Sequence, residues 1–230
     1  MTDVDGLHVV VTGASRGIGA AIAAAFAAGG ADVVGTARNP ATVIAGPRDA
    51  PGTITPVALD LGDAASASAA ATTIGSVFHG SCDVLVNNAG VLGSRLPLAE
   101  IDLDDVERVL ATNLLGTLRF TRAVLPLMAR GGAIVNVTSA AAGRAHWGGY
   151  SISKAGIDAI TTMLRDELAP RGIRCIGVNP GGIRTDMRAD AYPEEDPDTL
   201  PAPASVVPTF LAIAAGADPG PLVEARTWPG

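Results

Sequence analysis

The feature that most constrains the fold is a regular alternation of short β-branched runs with longer alanine-rich segments. Each run is almost continuously apolar, which is typical of strands covered on both faces of a sheet. The runs lie at 7–12, 31–36, 53–59, 83–87, 133–139 and 173–179. Alternating strands and helices with right-handed crossovers predict an α/β fold, a single doubly wound, Rossmann-like parallel sheet with helices on both faces.

The segments between these runs predict helices. They are expected at 17–29, 63–78, 102–129, 150–169 and 203–215, with a short helix near 40–46, and "GPLVEARTW" (220–228) is expected to supply a last strand. Pro126 lies inside the third helix, where its missing amide and its ring favour a kink. We expect that helix to continue because both flanks are apolar and periodic. No repeat or Gly-, Ser- or charge-rich linker divides residues 1–230, so one domain is predicted.

Charge limits the classes of partner. The chain has 16 lysines and arginines against 23 aspartates and glutamates, a net charge of −7 and a sequence pI of about 4.8. This sign is wrong for a protein that binds nucleic acid or an anionic membrane, so we expect neither partner. A small molecule is the expected partner.

The cysteines and the amino-terminal sequence bear on the compartment. Cys82 and Cys175 lie outside any Cys-x-x-Cys spacing, so buried free thiols in a reducing cytoplasm are favoured over a disulfide or a metal site. "MTDVDG" carries acids where a signal peptide carries positive charge. The apolar stretch 17–30 is mostly alanine and contains glycines, which favours a helix of a soluble protein over a membrane span. We therefore expect a cytoplasmic protein without a metal site.

A glycine-rich turn follows the first predicted strand. "TGASRGIG" (12–19) places Gly13, Gly17 and Gly19 between that strand and the first predicted helix. Glycines allow a tight turn and a close approach to a pyrophosphate, while the helix start offers free amides and the positive end of its dipole. The pattern indicates a dinucleotide site, with a purely structural turn as the alternative. A phosphate loop of the NTPase type is disfavoured because no Gly-Lys-Ser/Thr follows.

The end of the second predicted strand, "TARNP" (36–40), bears on which dinucleotide binds. A free ribose 2′-hydroxyl usually meets an acid here, whereas a 2′-phosphate requires a cation. Ala37 offers no acid, and the guanidinium of Arg38 can bind phosphate through two donors. Arg16, between the glycines, adds a second positive charge. NADP(H) is therefore predicted over NAD(H), with two solvated surface arginines as the alternative.

Seven motifs follow one another along the chain. They are "TGASRGIG" (12–19), "LDLGD" (59–63), "NNAG" (87–90), Asn113 in "ATNLLG", Ser139 in "VNVTS", "YSISK" (150–154) and "NPGGIRT" (179–185). With these motifs the sequence resembles the short-chain dehydrogenase/reductase family over most of its length. The resemblance implies an oxidoreductase that acts on a carbonyl or alcohol substrate with a nicotinamide cofactor.

The resemblance also implies cofactor contacts. Asp60 would lie near the adenine, Asn87 and Gly90 on the adenosine side, and Ile183 and Thr185 near the nicotinamide carboxamide and the phosphates. The residues predicted to bind the cofactor are Gly13, Ser15, Arg16, Gly17, Ile18, Gly19, Arg38, Asp60, Leu61, Asn87, Ala89, Gly90, Tyr150, Lys154, Pro180, Gly181, Ile183 and Thr185.

Tyr150 and Lys154 form the predicted reactive pair. Their spacing of four residues puts both side chains on one helical face. A free tyrosine has a pKa of about 10, and an adjacent ammonium, like the positive ring of an oxidised nicotinamide, favours the phenolate. We expect Tyr150 to act as general acid in reduction and as base in oxidation, while hydride passes between nicotinamide and substrate carbon. An ordinary surface pair is the alternative.

Ser139, Asn113 and Lys154 are assigned supporting roles. Ser139 is expected to donate a hydrogen bond to the substrate carbonyl where negative charge develops. The resemblance implies that Lys154 also holds the nicotinamide ribose hydroxyls, and that Asn113 positions a water in a proton relay to Lys154. The alternatives are a hydroxyl at a strand end for Ser139 and a helix-bending polar residue for Asn113.

The loop between Ser139 and Tyr150 departs from the family. Its ten residues, "AAAGRAHWGG", are fewer than relatives usually have, so Ser139 is less securely assigned than Tyr150. Trp147 is expected either to line the substrate pocket or to pack under the loop. His146 is weighed as a second acid/base group against an inert loop histidine, and the inert reading is favoured.

A proline-rich, acidic segment follows the last motif. We call residues 186–204 the covering segment, because relatives keep a mobile substrate-covering region there, and we expect it to be irregular and exposed. A solvated face is favoured over a cationic substrate as the reason for its acids, Asp190, Glu194, Glu195, Asp196 and Asp198. Tyr192 is not assigned a role. The long helices are expected to form a homodimer or homotetramer, although the glycine-rich ending common in the family is missing.

Two functions remain open at this point. The first is an NADP(H)-dependent carbonyl reductase or alcohol dehydrogenase, and the second is a cofactor-binding sensor or scaffold without turnover. The presence of Ser139, Tyr150 and Lys154 favours the enzyme, because a sensor needs the glycine turn but no proton donor.

Overall fold

The computed structural model describes residues 4–46 and 49–228, and their apolar runs form one seven-stranded parallel sheet. Residues 1–3 lie outside the described residues. They belong to "MTDVDG", the segment whose acids argue against a signal peptide. The strands are β1 His8–Thr12, β2 Asp32–Ala37, β3 Thr53–Ala58, β4 Cys82–Asn87, β5 Met128–Val137, β6 Arg174–Asn179 and β7 Leu222–Glu224. Their order is β3-β2-β1-β4-β5-β6-β7. The predicted fold class is confirmed.

Helices occupy most of the predicted positions. They are α1 Gly17–Ala28, α2 Ala64–Val77, α3 Leu103–Leu110, α4 Thr117–Val124, α5 Gly148–Leu168, α6 Asp186–Ala191 and α7 Val207–Ala214. The short helix expected near 40–46 is reduced to a 3-10 turn at Pro40–Thr42. The covering segment is more ordered than predicted, because it begins with α6, which is capped by the Thr185 side chain.

The long helix predicted at 102–129 forms as one uninterrupted helical run over 103–127, but it is not α-helical throughout. The chain forms α3, a π-helical turn at Ala111–Gly116, α4 and a 3-10 turn at Leu125–Leu127. Pro126 lies in that last turn, because it has no amide to continue the helical bonding. β5 then begins at Met128 instead of residue 133, and Met128 pairs with Cys82 of β4.

The core lies on both faces of the sheet, as the continuous apolar strands require. Val9 and Val11 of β1 pack on one side with Phe26 of α1 and Phe210 of α7. Val10, between them, faces the other side, where α2, α4 and α5 pack. Each fully buried side chain of this size contributes roughly 1.5–3 kcal/mol by leaving water.

Cys82 and Cys175 are buried free thiols, as predicted. Burial raises the pKa of each thiol to about 12, so both stay protonated and unreactive near neutral pH. None of the helices in the described part of the chain has the length and hydrophobicity to cross a membrane.

The strand order creates the functional edge. The chain runs outward from β1 to β2 and β3 and then returns to β4, which pairs with β1 on its other side. Helical connections therefore leave the neighbouring carboxyl ends of β1 and β4 in opposite directions, and a crevice opens between them. The predicted site motifs follow the carboxyl ends of β1, β2, β4, β5 and β6 at this edge.

Candidate active site

The glycine turn joins β1 to α1 in a conformation that needs glycine. Gly13 and Gly17 have φ angles of +70° and +59°, which side chains rarely tolerate. Gly19 is tightly packed for a different reason. A Cβ atom there would lie 2.3 Å from the carbonyl oxygen of Gly13 and 2.4 Å from Nδ2 of Asn88. The backbone of the turn is therefore folded back onto the start of α1.

The amino terminus of α1 fits a phosphate. The helix begins at Gly17, and its N-cap residue Arg16 makes no side-chain capping hydrogen bond. The first amides of a helix have no intrahelical acceptor, and the helix dipole is positive at this end. The residues present thus match the pyrophosphate of a dinucleotide, with Ser15 and Ile18 half-buried beside the glycines.

Asn88 ties this turn to β4, and sequence reasoning missed it. Its Nδ2 donates to the carbonyl oxygen of Thr12 at 2.9 Å and to that of Gly13 at 3.4 Å. In return the Thr12 hydroxyl accepts from the backbone amides of Asn88 at 2.9 Å and Ala89 at 3.0 Å. The sequence could have indicated Asn88, because it is the second asparagine of the "NNAG" motif.

The side chain of Asn87, predicted to lie on the adenosine side of the cofactor, points into the core. Its Nδ2 donates to the Thr121 hydroxyl at 2.9 Å and to Oδ1 of Asn136 at 2.8 Å, inside the core. Asn136 in turn donates to Thr161 of α5 at 2.9 Å. The Asn87 side chain therefore links β4, β5 and the helices instead of pointing at the crevice, and its buried Oδ1 has no partner among the described residues.

The two arginines predicted to select NADP(H) differ in their ion pairing. Arg38 is exposed immediately after β2 and takes part in no ion pair within residues 4–46 and 49–228. Arg16 donates from Nη1 to Oδ2 of Asp186 at 2.7 Å. The charge of Arg38, at the carboxyl end of β2, is thus available to bind a ligand, whereas the ion pair of Arg16 connects the glycine turn to α6.

The predicted cofactor residues that follow β3 and β4 make contacts within the protein. Oδ1 of Asp60 accepts from the Gly62 amide at 2.9 Å, and buried Leu61 packs against the π-helical turn at Gly116. Gly90 lies against Asn113, since a Cβ there would be 3.2 Å from Oδ1 of Asn113.

The motif after β6 closes the other side. Pro180 and Ile183 are buried, and Gly181 has a φ angle of +73°. A Cβ atom on Gly17 would lie 3.4 Å from the methyl group of Thr185, so this motif contacts the glycine turn directly.

Tyr150 and Lys154 lie in the first two turns of α5 and are both buried, at 9% and 6% exposure. Nζ of Lys154 donates to the carbonyl oxygen of Val137, the last residue of β5, at 2.6 Å. It lies 5.6 Å from the centre of the Tyr150 ring. The helix face thus holds the phenol and the ammonium together against the end of the sheet.

Burial dominates the acidity of this pair. It raises the pKa of Tyr150, while the Ser139 side chain acts in the opposite direction by hydrogen bonding. Burial also lowers the pKa of Lys154 to about 8, opposed by the carboxylate of Asp158. The sequence predicted that Lys154 would favour the phenolate. Among the protein's own groups burial outweighs that effect, because Tyr150 is almost wholly shielded from water.

The short loop does not separate Ser139 from Tyr150. Ser139 is close enough for its hydrogen bonding to affect Tyr150, and its hydroxyl also accepts from the Ala141 amide at 3.1 Å. Positive φ angles at Gly143, His146 and Gly148, of +70°, +64° and +45°, let the loop turn back within ten residues. His146 itself is exposed.

Asn113 lies in the π-helical turn, and its side chain holds the loop after β4 in place. Its Oδ1 accepts from the Val91 amide and its Nδ2 donates to the Val91 carbonyl, each at 2.8 Å. Nδ2 also donates to the Ser153 hydroxyl at 3.2 Å, and Ser153 donates to the Tyr150 carbonyl at 2.7 Å. The Asn113 amide is therefore engaged by protein groups, and it connects the loop after β4 to α5.

Asp158 is a second residue that sequence reasoning missed. It follows Lys154 by one helical turn and accepts a hydrogen bond from the Thr138 hydroxyl. Burial raises its pKa, and Thr138 and Lys154 oppose the rise. A solvent-open cavity of about 140 Å³ is lined by Thr138, Ser139, Ala140, Asp158, Asn179, Leu222, Val223 and Glu224. The sequence could have indicated Asp158, because it lies four residues after Lys154 and so on the same helical face.

Aromatic residues surround the phenol. Trp147 is buried, with its ring centre 5.8 Å from that of Tyr150 and 5.8 Å from that of Tyr192 in the covering segment. Leu92, Met187 and Ala191 pack with them. Trp147 therefore both packs beneath the loop and contacts the Tyr150 side chain.

The sequence model of the short chain dehydrogenase family matches residues 7–196, which span the glycine turn, the "NNAG" segment and the Tyr150 helix described above. The chain belongs to the short-chain dehydrogenase family. It is accordingly an oxidoreductase of the Rossmann-like class.

Relatives in this family are similar over very different lengths. D-threitol dehydrogenase of Mycolicibacterium smegmatis is 37% identical over 227 residues, covering 92% of this chain and 85% of that protein. The uncharacterized oxidoreductase YciK of Escherichia coli K12 is 38% identical over 133 residues, covering 56% of this chain and 52% of that protein. A short chain dehydrogenase from Shigella flexneri, crystallised with NADP, has a TM-score of 0.84 at 31% identity, covering 98% of this chain and 100% of that one.

Proposed function

We propose that this short-chain dehydrogenase transfers hydride between NADP(H) and a small carbonyl or alcohol substrate, with Tyr150 as the general acid and base. The observation that carries the proposal is the placement of Tyr150, Ser139 and Lys154 together at the carboxyl end of β5, in the crevice that the glycine turn borders. The substrate is expected to lie under the covering segment, residues 186–204.

The protein's own residues account for the proton. The nicotinamide cofactor, when bound, supplies or accepts the hydride. In reduction the Tyr150 phenol donates its proton to the carbonyl oxygen, and in oxidation the phenolate accepts it back. The raised pKa of Tyr150 keeps the phenol protonated near neutral pH, which suits the reductive direction. Ser139 donates a hydrogen bond to the same oxygen as its charge develops.

Lys154 supports this proton transfer. Its pKa of about 8 leaves it mostly charged at neutral pH, and the bond to the Val137 carbonyl fixes its position. The ammonium stabilises the tyrosinate formed in reduction. Asn113 contributes indirectly, since it braces the loop after β4 against Ser153 and thereby against the backbone of Tyr150.

NADP(H) is the proposed cofactor form. The glycine turn and the uncapped start of α1 would hold the pyrophosphate, and Arg38 would bind the 2′-phosphate. The NADP in the Shigella flexneri relative supports this choice. A cytoplasmic location is proposed on the composition of the sequence.

Cofactor preference provides the first test. NADPH oxidation should be measured with a panel of ketones, quinones, keto-acyl thioesters and sugars, and with NADH in parallel. We expect a higher kcat/KM with NADPH. Arg38→Ala should raise the KM for NADPH roughly 10- to 100-fold, because a charge-assisted hydrogen bond is lost, with little change in the KM for NADH.

Arg130→Ala is the matched control for this test. Arg130 is an exposed arginine near the start of β5, away from the carboxyl ends of the strands, so this variant should behave as wild type. A wild-type preference for NADH would contradict the cofactor assignment. Tight NADPH binding without turnover of any substrate would favour the sensor or scaffold.

We also propose that the chain forms homodimers or homotetramers through α3 and α5. These helices pack together, and apolar side chains remain exposed on them and on the π-helical turn. They are Leu103, Leu115, Ile152 and Met163. Ile152 and Met163 are about three turns apart, so they share one face of α5.

Light scattering should therefore give a mass at least twice the 23.0 kDa of one chain. The double variant Ile152→Glu/Met163→Glu should lower that mass to the monomer value, because charges would be buried in the interface. Ile44→Glu is the control, since Ile44 is also exposed but follows β2. A monomeric wild-type protein at micromolar concentration would refute the proposal.

A further inference from the structure

The guanidinium of Arg95 is held between two aromatic rings. Its Cζ lies 4.3 Å from the centre of the Trp147 ring and 4.5 Å from the centre of the Tyr192 ring. Arg95 comes from the loop after β4, Trp147 from the loop before α5, and Tyr192 from the covering segment. Three separate parts of the chain therefore position this cation, and Trp147 links it to Tyr150, because the Trp147 ring contacts both.

The charge of Arg95 is not neutralised by the protein. Within residues 4–46 and 49–228, its side chain takes part in no ion pair and no hydrogen bond. Asp105 accepts from the Ser94 amide at 2.7 Å, but its other oxygen pairs with Arg108. The Arg95 side chain is also exposed, so a small molecule can reach it.

A neighbouring arginine shows the contrasting arrangement. Arg188 stacks on Tyr192 as well, with its Cζ 3.8 Å from the ring centre. Its Nε and Nη2 both donate to the Glu195 carboxylate, each at 2.6 Å. The charge of Arg188 is therefore used within the covering segment, whereas that of Arg95 is left for another partner.

The contacts with the two rings leave the N–H donors of Arg95 without an ordinary acceptor. A ring face attracts the positive charge of a guanidinium but does not replace a carboxylate or carbonyl oxygen as hydrogen-bond acceptor. Those donors match the two oxygens of a carboxylate or phosphate. Leu92, Met187 and Ala191 pack with Trp147 and Tyr192, so the two rings that contact Arg95 are themselves held in an apolar cluster.

Half of the acids in the covering segment are paired with arginines of the protein. Glu195 is paired with Arg188, and Asp198 with Arg184 at 3.0 Å. Asp186, at its start, is paired with Arg16. Three of its six acids are thus paired with arginines, whereas Arg95 takes part in no ion pair within residues 4–46 and 49–228.

We propose that Arg95 binds an oxyanion on the substrate, so that this enzyme prefers carbonyl compounds that carry a carboxylate or phosphate group away from the reacting carbon. The inference deepens the proposed function and rests on it. Arg95 then acts as a specificity-determining residue, and Trp147 and Tyr192 hold its guanidinium in place.

Matched substrate pairs test this proposal. NADPH oxidation should be measured with 4-oxopentanoate and 5-oxohexanoate, each against its methyl ester, and with dihydroxyacetone phosphate against dihydroxyacetone. We expect kcat/KM to be roughly 10- to 100-fold higher for the anion of at least one pair, mainly through KM. The pairs distinguish a carboxylate from a phosphate as the recognised group.

Variants at Arg95 test whether this residue causes the preference for anionic substrates. Arg95→Met keeps an unbranched chain against the rings and should remove most of the ratio between anion and ester, while Arg95→Lys should keep part of it. Arg130→Met is the control and should leave the ratio unchanged. No preference in the wild type, or equal losses for anion and ester in Arg95→Met, would overturn the proposal and leave Arg95 a packing residue.

Binding of a non-reducible probe separates this inference from the proposed function. Calorimetric titration of the wild type with glutarate should show binding that glutaramide lacks and that Arg95→Met removes. If no substrate is turned over but this binding is found, the proposed function fails and the anion site stands. If turnover is found without anion preference or glutarate binding, the anion site fails alone.

Discussion

Tyr150→Phe is expected to lower kcat by about 100- to 10,000-fold, because it removes the one group positioned to exchange a proton with the substrate oxygen. The ring, its contact with Trp147 and the α5 backbone are kept, so the fold and NADPH affinity should be preserved. Turnover and NADPH binding should be measured on the same preparation, with a thermal unfolding curve to confirm the fold.

The chain offers a matched control for this variant, since it contains only two tyrosines. Tyr192→Phe removes the same hydroxyl group from the covering segment and should cost far less activity. In the oxidative direction the wild-type rate should rise with pH as Tyr150 deprotonates, and the residual activity of Tyr150→Phe should lack that dependence. Undiminished turnover in Tyr150→Phe would refute its assignment as acid and base.

Gly19→Ala is expected to destabilise the protein and weaken NADPH binding. The added Cβ would lie 2.3 Å from the Gly13 oxygen and 2.4 Å from Nδ2 of Asn88, so the glycine turn must shift. Overpacking of this kind costs about 1–3 kcal/mol, which lowers the unfolding midpoint by about 2–12 °C for a chain of this size. Thermal unfolding and an NADPH titration measure the two effects.

Gly75→Ala is the control for this substitution. Gly75 also lies in a helix, α2, but a Cβ there would meet Leu127 at 3.4 Å, an ordinary contact. Helix propensity alone favours alanine over glycine by up to about 1 kcal/mol. Gly75→Ala should therefore be neutral or stabilising. If Gly19→Ala behaved in the same way and bound NADPH normally, the glycine turn would not be packed as described.

The sequence predicted the fold class because strands buried on both faces must be continuously apolar, and this pattern is visible locally. It also predicted the Tyr150 and Lys154 pair, because a spacing of four fixes a shared helical face. The helix predicted at 102–129 ends at residue 127, because the strand pairing of Met128 with Cys82, a long-range contact, overrides local helical periodicity there.

The site was predictable in its motifs but not in its side-chain partners. Asn87 was expected at the crevice, and the structure turns its amide into the core toward Thr121 and Asn136. Arg16 and Arg38 looked equivalent in the sequence, and only the fold brings Asp186 to Arg16. Such partners come from distant segments, so no local pattern reports them.

By itself, the sequence determined the parallel sheet, the glycine turn and the shared helical face of Tyr150 and Lys154, since each depends on the spacing of nearby residues. Only the tertiary structure decided which charges remain free. It paired Arg16 with Asp186 and Arg188 with Glu195, while Arg95, in contact with Trp147 and Tyr192, has no ion pair among the residues that the structure describes. Charge pairing depends on which segments the fold brings within a few ångströms, and the covering segment meets the loop after β4 only in the folded chain.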